Sequence, residues 1–277
     1  MKLARLLAPL LFAAAATNVV WAQLNIAQIS DIHIGEKRAP HAVDNLRKTV
    51  DMINERHPDA VIVSGDVGEK HPQDWDTARG ILKWLHAPVY YAPGNHDVHA
   101  DDVQQYRQAF GKDYFRFSIK NVDFIVIDSE LLGNFDQYNA KSPPPMSTAT
   151  EKESGKMLDW LNDEARHPQS KNRVVIGIQH VPGLRDGDFP DPQHPYWVIN
   201  DPYRGREIEV LHKLGIRHML VGHWHNPRVF GGEGITWHVA PATSWLPWGG
   251  HLGFAMHTIS PDGNVKTEFV NLPDAEP

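Results

Sequence analysis

Asn95, His96 and Asp97 close the run Tyr90-Tyr91-Ala92-Pro93-Gly94, where a short aromatic strand is broken by Pro and Gly. The three side chains have separate uses in metal-assisted hydrolysis. An amide oxygen ligates a hard cation, an imidazole donates a proton or holds an anion, and a neighbouring carboxylate fixes the ring and keeps it basic. The same grammar, an apolar strand ending in a turn with ligand-type residues, recurs at Asp31-Ile32-His33, Ser64-Gly65-Asp66, Gln179-His180 and Gly222-His223-Trp224-His225. The donors offered are oxygen and imidazole. Cysteine is absent, so thiolate-bound metal and cysteine catalysis are excluded.

The elements that position these residues follow from the spacing. Leu24 to Ser30 reads as a strand, and in its extended exit Asp31 and His33 point to one side. Asp59 to Ser64 is apolar enough for a strand buried on both faces. Gly65 then allows a sharp turn and sets Asp66 at the carboxyl end of that strand, the edge of an α/β sheet where ligands bind. Pro88 to Tyr91 is a third strand. Val43, Leu46, Val50 and Ile53 share one helical face over 43–56, and helices are also predicted over 75–85 and 102–110. Phe115 to Ile119 and Val122 to Asp128 flank the polar turn Lys120-Asn121 as a β-hairpin, so the chain is not purely βα alternating. Beyond it come a helix over 151–165, a strand over 173–179, a helix over 204–214, a strand over 216–221 and short strands from about Val229 to Val270. Residues 130–150 and 182–202 read as long surface loops.

The chain has 277 residues, enough for one large core. Lys2 and Arg5 precede an apolar run from Leu6 to Val20, and Val20-Trp21-Ala22 resembles a small-residue cleavage site, so residues 1–22 read as a signal peptide and 23–277 as the working domain. The apolar run is shorter than the ~20 residues of a spanning helix, and no other stretch is apolar enough to cross a membrane. The expected location is exported, periplasmic or secreted. A net charge of −7, more negative once Lys2 and Arg5 are removed, argues against a nucleic-acid duplex as partner. An anionic substrate would need local positive charge, which bound cations supply. The composition carries no signal of oligomeric state.

In their order the five motifs resemble the calcineurin-like metallophosphoesterases, over nearly all of the chain from residue 23. The likeness implies an α/β fold of two packed mixed β-sheets flanked by helices, a four-layer α/β/β/α sandwich. Tyr114 to Phe117, Asp128-Ser129 and Ile216 to His225 more loosely resemble the subgroup of calcineurin-like phosphoesterase-domain protein phosphatases. By this resemblance Asp31, His33 and His225 bind one metal, Asn95, His180 and His223 bind another, and Asp66 bridges them. His96 then contacts the phosphate and protonates the leaving oxygen, with Asp97 orienting it. Two divalent or trivalent ions are implied, and the donor set suits Mn, Fe, Zn, Co or Ni. A bridging carboxylate holds such ions ~3.5–4 Å apart, where a shared water loses a proton near neutral pH.

The implied function is hydrolysis of a small phosphorylated ester by a metal-bridging hydroxide. Two alternatives stand beside it: action on diesters, including cyclic nucleotides, and a non-catalytic metal- or phosphate-binding protein. Two departures narrow the subgroup. Glu69 stands where purple acid phosphatases place a tyrosine ligand. Glu69-Lys70-His71 stands where Ser/Thr phosphoprotein phosphatases have D-R-G, and Asp97 replaces their final Glu. Lys70 does not reproduce an arginine's bidentate clamp on phosphate, which argues against protein phosphatase activity. Trp245, Trp248 and His251, with Tyr196 and Trp197, are candidates for a substrate wall. Arg185 and Arg204 read as surface residues. His41, His57, His71, His86, His167, His212 and His218 read as surface or satisfied histidines, and His99 and His238 as structural.

Overall fold

The computed structural model describes residues 23–69, 71–98, 103–167 and 173–276. Residues 1–22, expected to be a signal peptide, together with Lys70, His99 and the start of the helix predicted from Asp102, lie outside the described residues. In chain order the first half holds β1 (Leu24–Ile29), α1 (Ala42–Arg56), β2 (Ala60–Ser64), α2 (Pro72–Leu82), β3 (Val89–Ala92), α3 (Val103–Phe110), β4 (Phe115–Ile119) and β5 (Val122–Val126). The second half holds α4 (Thr148–Arg166), β6 (Val174–Ile178), α5 (Tyr203–Lys213), β7 (His218–Val221), β8 (Arg228–Gly232), β9 (Ile235–Val239), β10 (Gly253–Ile259) and β11 (Val265–Asn271).

These strands form two mixed sheets, a five-stranded one in the order β11-β10-β1-β2-β3 and a six-stranded one in the order β4-β5-β6-β7-β9-β8. Alternation along each strand explains why both are apolar on both faces. From β1, Leu24 and Ile26 point into the layer between the sheets, where they meet Phe124, Ile176 and Leu220 of the other sheet. Ala27 and Ile29 point the opposite way, onto Leu46, Val50 and Ile53 of α1 and Trp75 and Leu82 of α2. On the far side Ile125, Val175 and Met219 pack against Met157 and Leu161 of α4 and Leu211 of α5. The result is the expected four-layer sandwich.

Two helices start earlier than periodicity indicates. α2 begins at Pro72, which has no N–H to lose in a first turn. α4 begins at Thr148, because the Ser147 hydroxyl accepts the Thr150 N–H at 3.1 Å. The parallel strands β1, β2 and β3 all run toward one edge, and so do β6 and β7 in the other sheet. All five ligand motifs lie just past those carboxyl ends.

Candidate metal centre and active site

The backbone is bent at the predicted site residues. Asp31, His33, Asp66, His223 and His225 all have φ between 50° and 70°, in the left-handed region where a side chain is strained. Such turns swing each side chain back over its strand end. Two glycines leave the room this needs: a Cβ at Gly94 would overlap the Asp66 carboxylate and backbone nitrogen, and one at Gly222 would overlap the Ser30 hydroxyl.

The predicted ligands converge. Asp31, His33 and His225 bring one donor atom each to within 4.8 Å of one another, and so do Asp66, His180 and His223. His225 Nε2 lies 3.1 Å from Asp31 Oδ1, and His180 Nε2 lies 3.0 Å from Asp66 Oδ2 without the alignment of a hydrogen bond. His33 Nε2 is 3.6 Å from Asp66 Oδ2, which sets Asp66 between the two groups. All six side chains are buried. Asn95 lines a cavity together with Asp66, His223 and His225, and its buried Oδ1 has no hydrogen-bond partner among the described residues.

Each imidazole is turned by an outer hydrogen bond. His33 Nδ1 donates to Glu69 Oε1 at 2.7 Å, His180 Nδ1 to the Ser64 carbonyl at 2.7 Å, and His225 Nδ1 to the Trp245 carbonyl at 2.7 Å. His223 is turned the other way, with Nε2 donating to the Tyr196 carbonyl at 3.0 Å. Such partners fix the tautomer and leave the opposite nitrogen with its lone pair facing inward. The consequence is sharpest where His33 Nε2 and His225 Nε2 face each other at 3.1 Å. With both Nδ1 atoms donating outward, two neutral rings would present lone pair to lone pair. A cation between them removes that conflict. The donor set and the orphaned Asn95 Oδ1 therefore fit divalent metal.

His96 sits at the cavity wall rather than in the depth of the cluster, with its side chain partly exposed. Its backbone N–H donates to Asp66 Oδ1 at 2.8 Å, and its ring Nδ1 meets Glu69 Oε2 at 2.9 Å. Burial disfavours the charged ring, but the Asp66 and Glu69 carboxylates outweigh it and lift the imidazolium to about 9. His33, Asp66 and His96 also approach closely enough to form a metal trio.

The expectation that Asp97 orients His96 is corrected by these contacts. The Asp97 carboxylate accepts from the backbone N–H groups of Val67, Gly68 and Gly94 at 3.0–3.2 Å and from the Trp75 indole at 3.1 Å. It pins the Asp66 turn to the Gly94 turn, and among the described residues Glu69 is the acid on the His96 ring. Burial and the nearby Asp66 charge push the Asp97 carboxyl up to about 7. Glu69 holds His33 and His96 with one oxygen each. Its position three residues after Asp66 was the available signal.

A cavity of about 410 Å³ opens over the cluster. Tyr196, Trp197, Trp245 and Trp248 line it as expected, and Phe135 and Tyr138 join them from the 130–150 loop. The Tyr196 hydroxyl accepts from Asn95 Nδ2 at 3.0 Å, which turns Oδ1 inward. His251 is exposed and does not line the cavity. Arg185 ties the 182–202 loop through the Pro190 and His194 carbonyls at 3.1 and 2.8 Å, and Arg204 pairs with Asp201. Neither lines the cavity. Arg38, unforeseen, does, with its guanidinium 3.9 Å over the Trp245 ring.

The profile of the calcineurin-like phosphoesterases matches residues 24–227. The chain is 26% identical over 193 residues to the mouse serine/threonine-protein phosphatase CPPED1, covering 64% of this chain and 57% of that one. It is 25% identical over 235 residues to a probable cyclic nucleotide phosphodiesterase of Fibrobacter succinogenes, covering 79% and 80%. Among solved structures, a dimetal phosphatase from Danio rerio superposes with a TM-score of 0.66 at 15% identity, covering 90% of this chain and 98% of that one. The GAP50 anchor of the Plasmodium inner membrane complex superposes at 0.62 with 13% identity, covering 92% and 86%. At such identities the structural likeness shows the fold alone.

Proposed function

The chain belongs to the calcineurin-like phosphoesterase family and is a metal-dependent hydrolase of phosphate esters, and from that premise we propose how its residues divide the work. Asp31, His33 and His225 hold one divalent cation, Asn95, His180 and His223 hold a second, and Asp66 lies between them. The observation that carries this is the approach of His33 Nε2 and His225 Nε2 to 3.1 Å while both Nδ1 atoms face outward acceptors. Bound cations supply Lewis acidity toward the phosphoryl oxygens and toward water. His96 faces the substrate side of the cluster and gives a ring proton to the leaving oxygen as the P–O bond breaks. Glu69 keeps that ring charged and aimed. Tyr196 holds the Asn95 amide in its ligating orientation.

The substrate is a small phosphorylated ester. The two relatives bear names from both sides of the monoester–diester divide. Among the described residues lining the cavity no basic fork is spare to favour a monoester dianion, because Arg38 already gives Nε and Nη2 to the Glu36 carboxylate at 2.9 Å each. That supports diesters or small organic phosphates over phosphoproteins. The N-terminal composition supports export. No described helix is long and apolar enough to cross a membrane.

The test is metal-stripped protein reloaded separately with Mn, Zn or Fe and assayed on para-nitrophenyl phosphate and bis-para-nitrophenyl phosphate. Restored turnover that His96→Ala loses supports the scheme, and the ratio of the two rates decides monoester against diester. Metal binding with no turnover of either ester would favour a non-catalytic binding protein.

A further inference from the structure

We infer that the cavity beside the metal-ligand cluster selects phosphate esters whose leaving group carries a flat aromatic ring, an inference that rests on the phosphoesterase reading above. Three separate stretches of chain bring rings to this one opening: Tyr138 from the 130–150 loop, Tyr196 and Trp197 from the 182–202 loop, and Trp245 and Trp248 from the segment before β10. The volume of about 410 Å³ is that of a small-molecule site. Asn95 and His96 line it too, so a group held by these rings is attached to a phosphate at the cluster.

Exposure marks the same place. Four large apolar side chains among the described residues are strongly exposed, and two of them, Tyr138 at 49% and Trp248 at 43%, stand at this cavity. They are not loose. Trp248 donates its indole N–H to the Trp224 carbonyl at 3.0 Å and lies 5.4 Å from the Trp197 ring. Tyr138 meets Tyr196 at 5.1 Å and Trp197 at 5.7 Å, both edge to face. Trp197 touches both exposed rings, and its carbonyl is fixed by the Trp224 indole at 2.7 Å. Rings already held in place lose little freedom when a ligand stacks on them.

Among the described residues lining the cavity Arg38 is the one lysine or arginine, and its guanidinium sits 3.9 Å from the Trp245 ring centre with its charge met by Glu36. The lining also carries Asp136, so what the cavity offers a leaving group is ring faces rather than a positive field. An aliphatic group would leave those faces without a matching partner, whereas every aromatic base or aryl ring has a face to stack.

The test pairs ligands with one phosphate environment and different remainders. The reloaded enzyme hydrolyses whichever para-nitrophenyl ester it accepts, and initial rates are read with competing adenosine 5′-monophosphate against ribose 5-phosphate, and phenyl phosphate against cyclohexyl phosphate. The aromatic member of a pair is expected to compete at least about fivefold more tightly, in line with stacking of a base on aromatic side chains. Preference in the nucleotide pair alone identifies a nucleobase site, and preference in both identifies a general aryl site. Tyr138→Leu and Trp248→Leu, both at half-exposed positions, are expected to bring the ratios toward one. Hydrolysis with equal competition within each pair, or tighter competition by phosphocholine than by phenyl phosphate, overturns this inference alone. Hydrolysis of neither para-nitrophenyl ester overturns the phosphoesterase reading and this inference with it.

Discussion

Among the described residues two groups of largely buried histidines stand out, and only one of them leaves its inward nitrogens without hydrogen-bond donors to meet. The first is the cluster of His33, His180, His223 and His225 at the strand ends. The second is a chain between the sheets in which His218 Nδ1 meets His238 Nε2 at 3.0 Å, and His238 and His257 each meet the Thr267 hydroxyl at 2.7 and 2.9 Å. His257 Nε2 reaches Gln28 Oε1 at 2.8 Å, and Gln28 Nε2 passes to Ser64 Oγ at 2.8 Å and the Val221 carbonyl at 3.0 Å. In this chain one direction of donation satisfies every link with the rings neutral: His218 to His238, His238 to Thr267, Thr267 to His257, His257 to Gln28. The cluster cannot close in that way. Its outward nitrogens are spent on Glu69, Ser64, Tyr196 and Trp245, and its inward nitrogens meet one another and two carboxylates. Burial alone therefore does not distinguish a ligand histidine from a structural one. Whether the hydrogen bonds close does.

The contrast is broken most strongly at His96. His96→Ala is expected to lower kcat by about 10²–10⁴-fold while the reloaded protein keeps its metal content, measured by elemental analysis. Equal loss of metal would instead make His96 a ligand. Glu69→Gln keeps the shape of the side chain and removes the charge that faces two imidazoles. It should cost about 10–100-fold in activity or metal affinity, as removal of a partner behind a ligand does. A larger effect from Asp97→Asn on kcat than from Glu69→Gln would return the orienting role to Asp97.

The closed chain should show itself in stability rather than activity. Burial, aided by His218, lowers the His238 imidazole to about 3. A histidine with a depressed value contributes stability that is present above its unfolded value of ~6.5 and lost as pH falls toward 3. Urea midpoints should drop over that window, and His238→Gln should make the drop shallower without changing metal content. An opposite slope of similar size, overlapping the first between ~4.5 and ~6.5, is expected from Glu207, buried against Gln179, whose Nε2 donates to Oε1 at 2.6 Å. Burial raises its carboxyl to about 8. The folded state then keeps a proton the unfolded chain has released, so stability falls as pH rises from ~4.5 to 8. Glu207→Gln should flatten that fall in thermal midpoints read at pH 5 and pH 8.

The convergence of the candidate ligands was legible because each is set by a few neighbouring residues: an apolar strand, a turn, then Asp31 and His33, or His223 and His225. The same locality misled at Asp97. Adjacent to His96 in sequence, it is spent on the Val67, Gly68 and Gly94 amides and the Trp75 indole. Glu69 was legible only as a departure from other subgroups. Its role depends on His33 and His96, 36 and 27 residues away. The outer partners of His180 and His223 are backbone carbonyls, which no side-chain pattern announces. Helix starts were missed where a proline or a serine cap, rather than periodicity, sets the boundary.

The most direct measurement is anomalous diffraction from crystals of manganese-loaded protein. Two peaks are expected, one between His33 Nε2, His225 Nε2 and Asp31, the other among Asn95 Oδ1, His180 Nε2 and His223, with none along His218, His238 and His257. Absence of a peak between His33 and His225, or a peak in the closed histidine chain, would contradict the account.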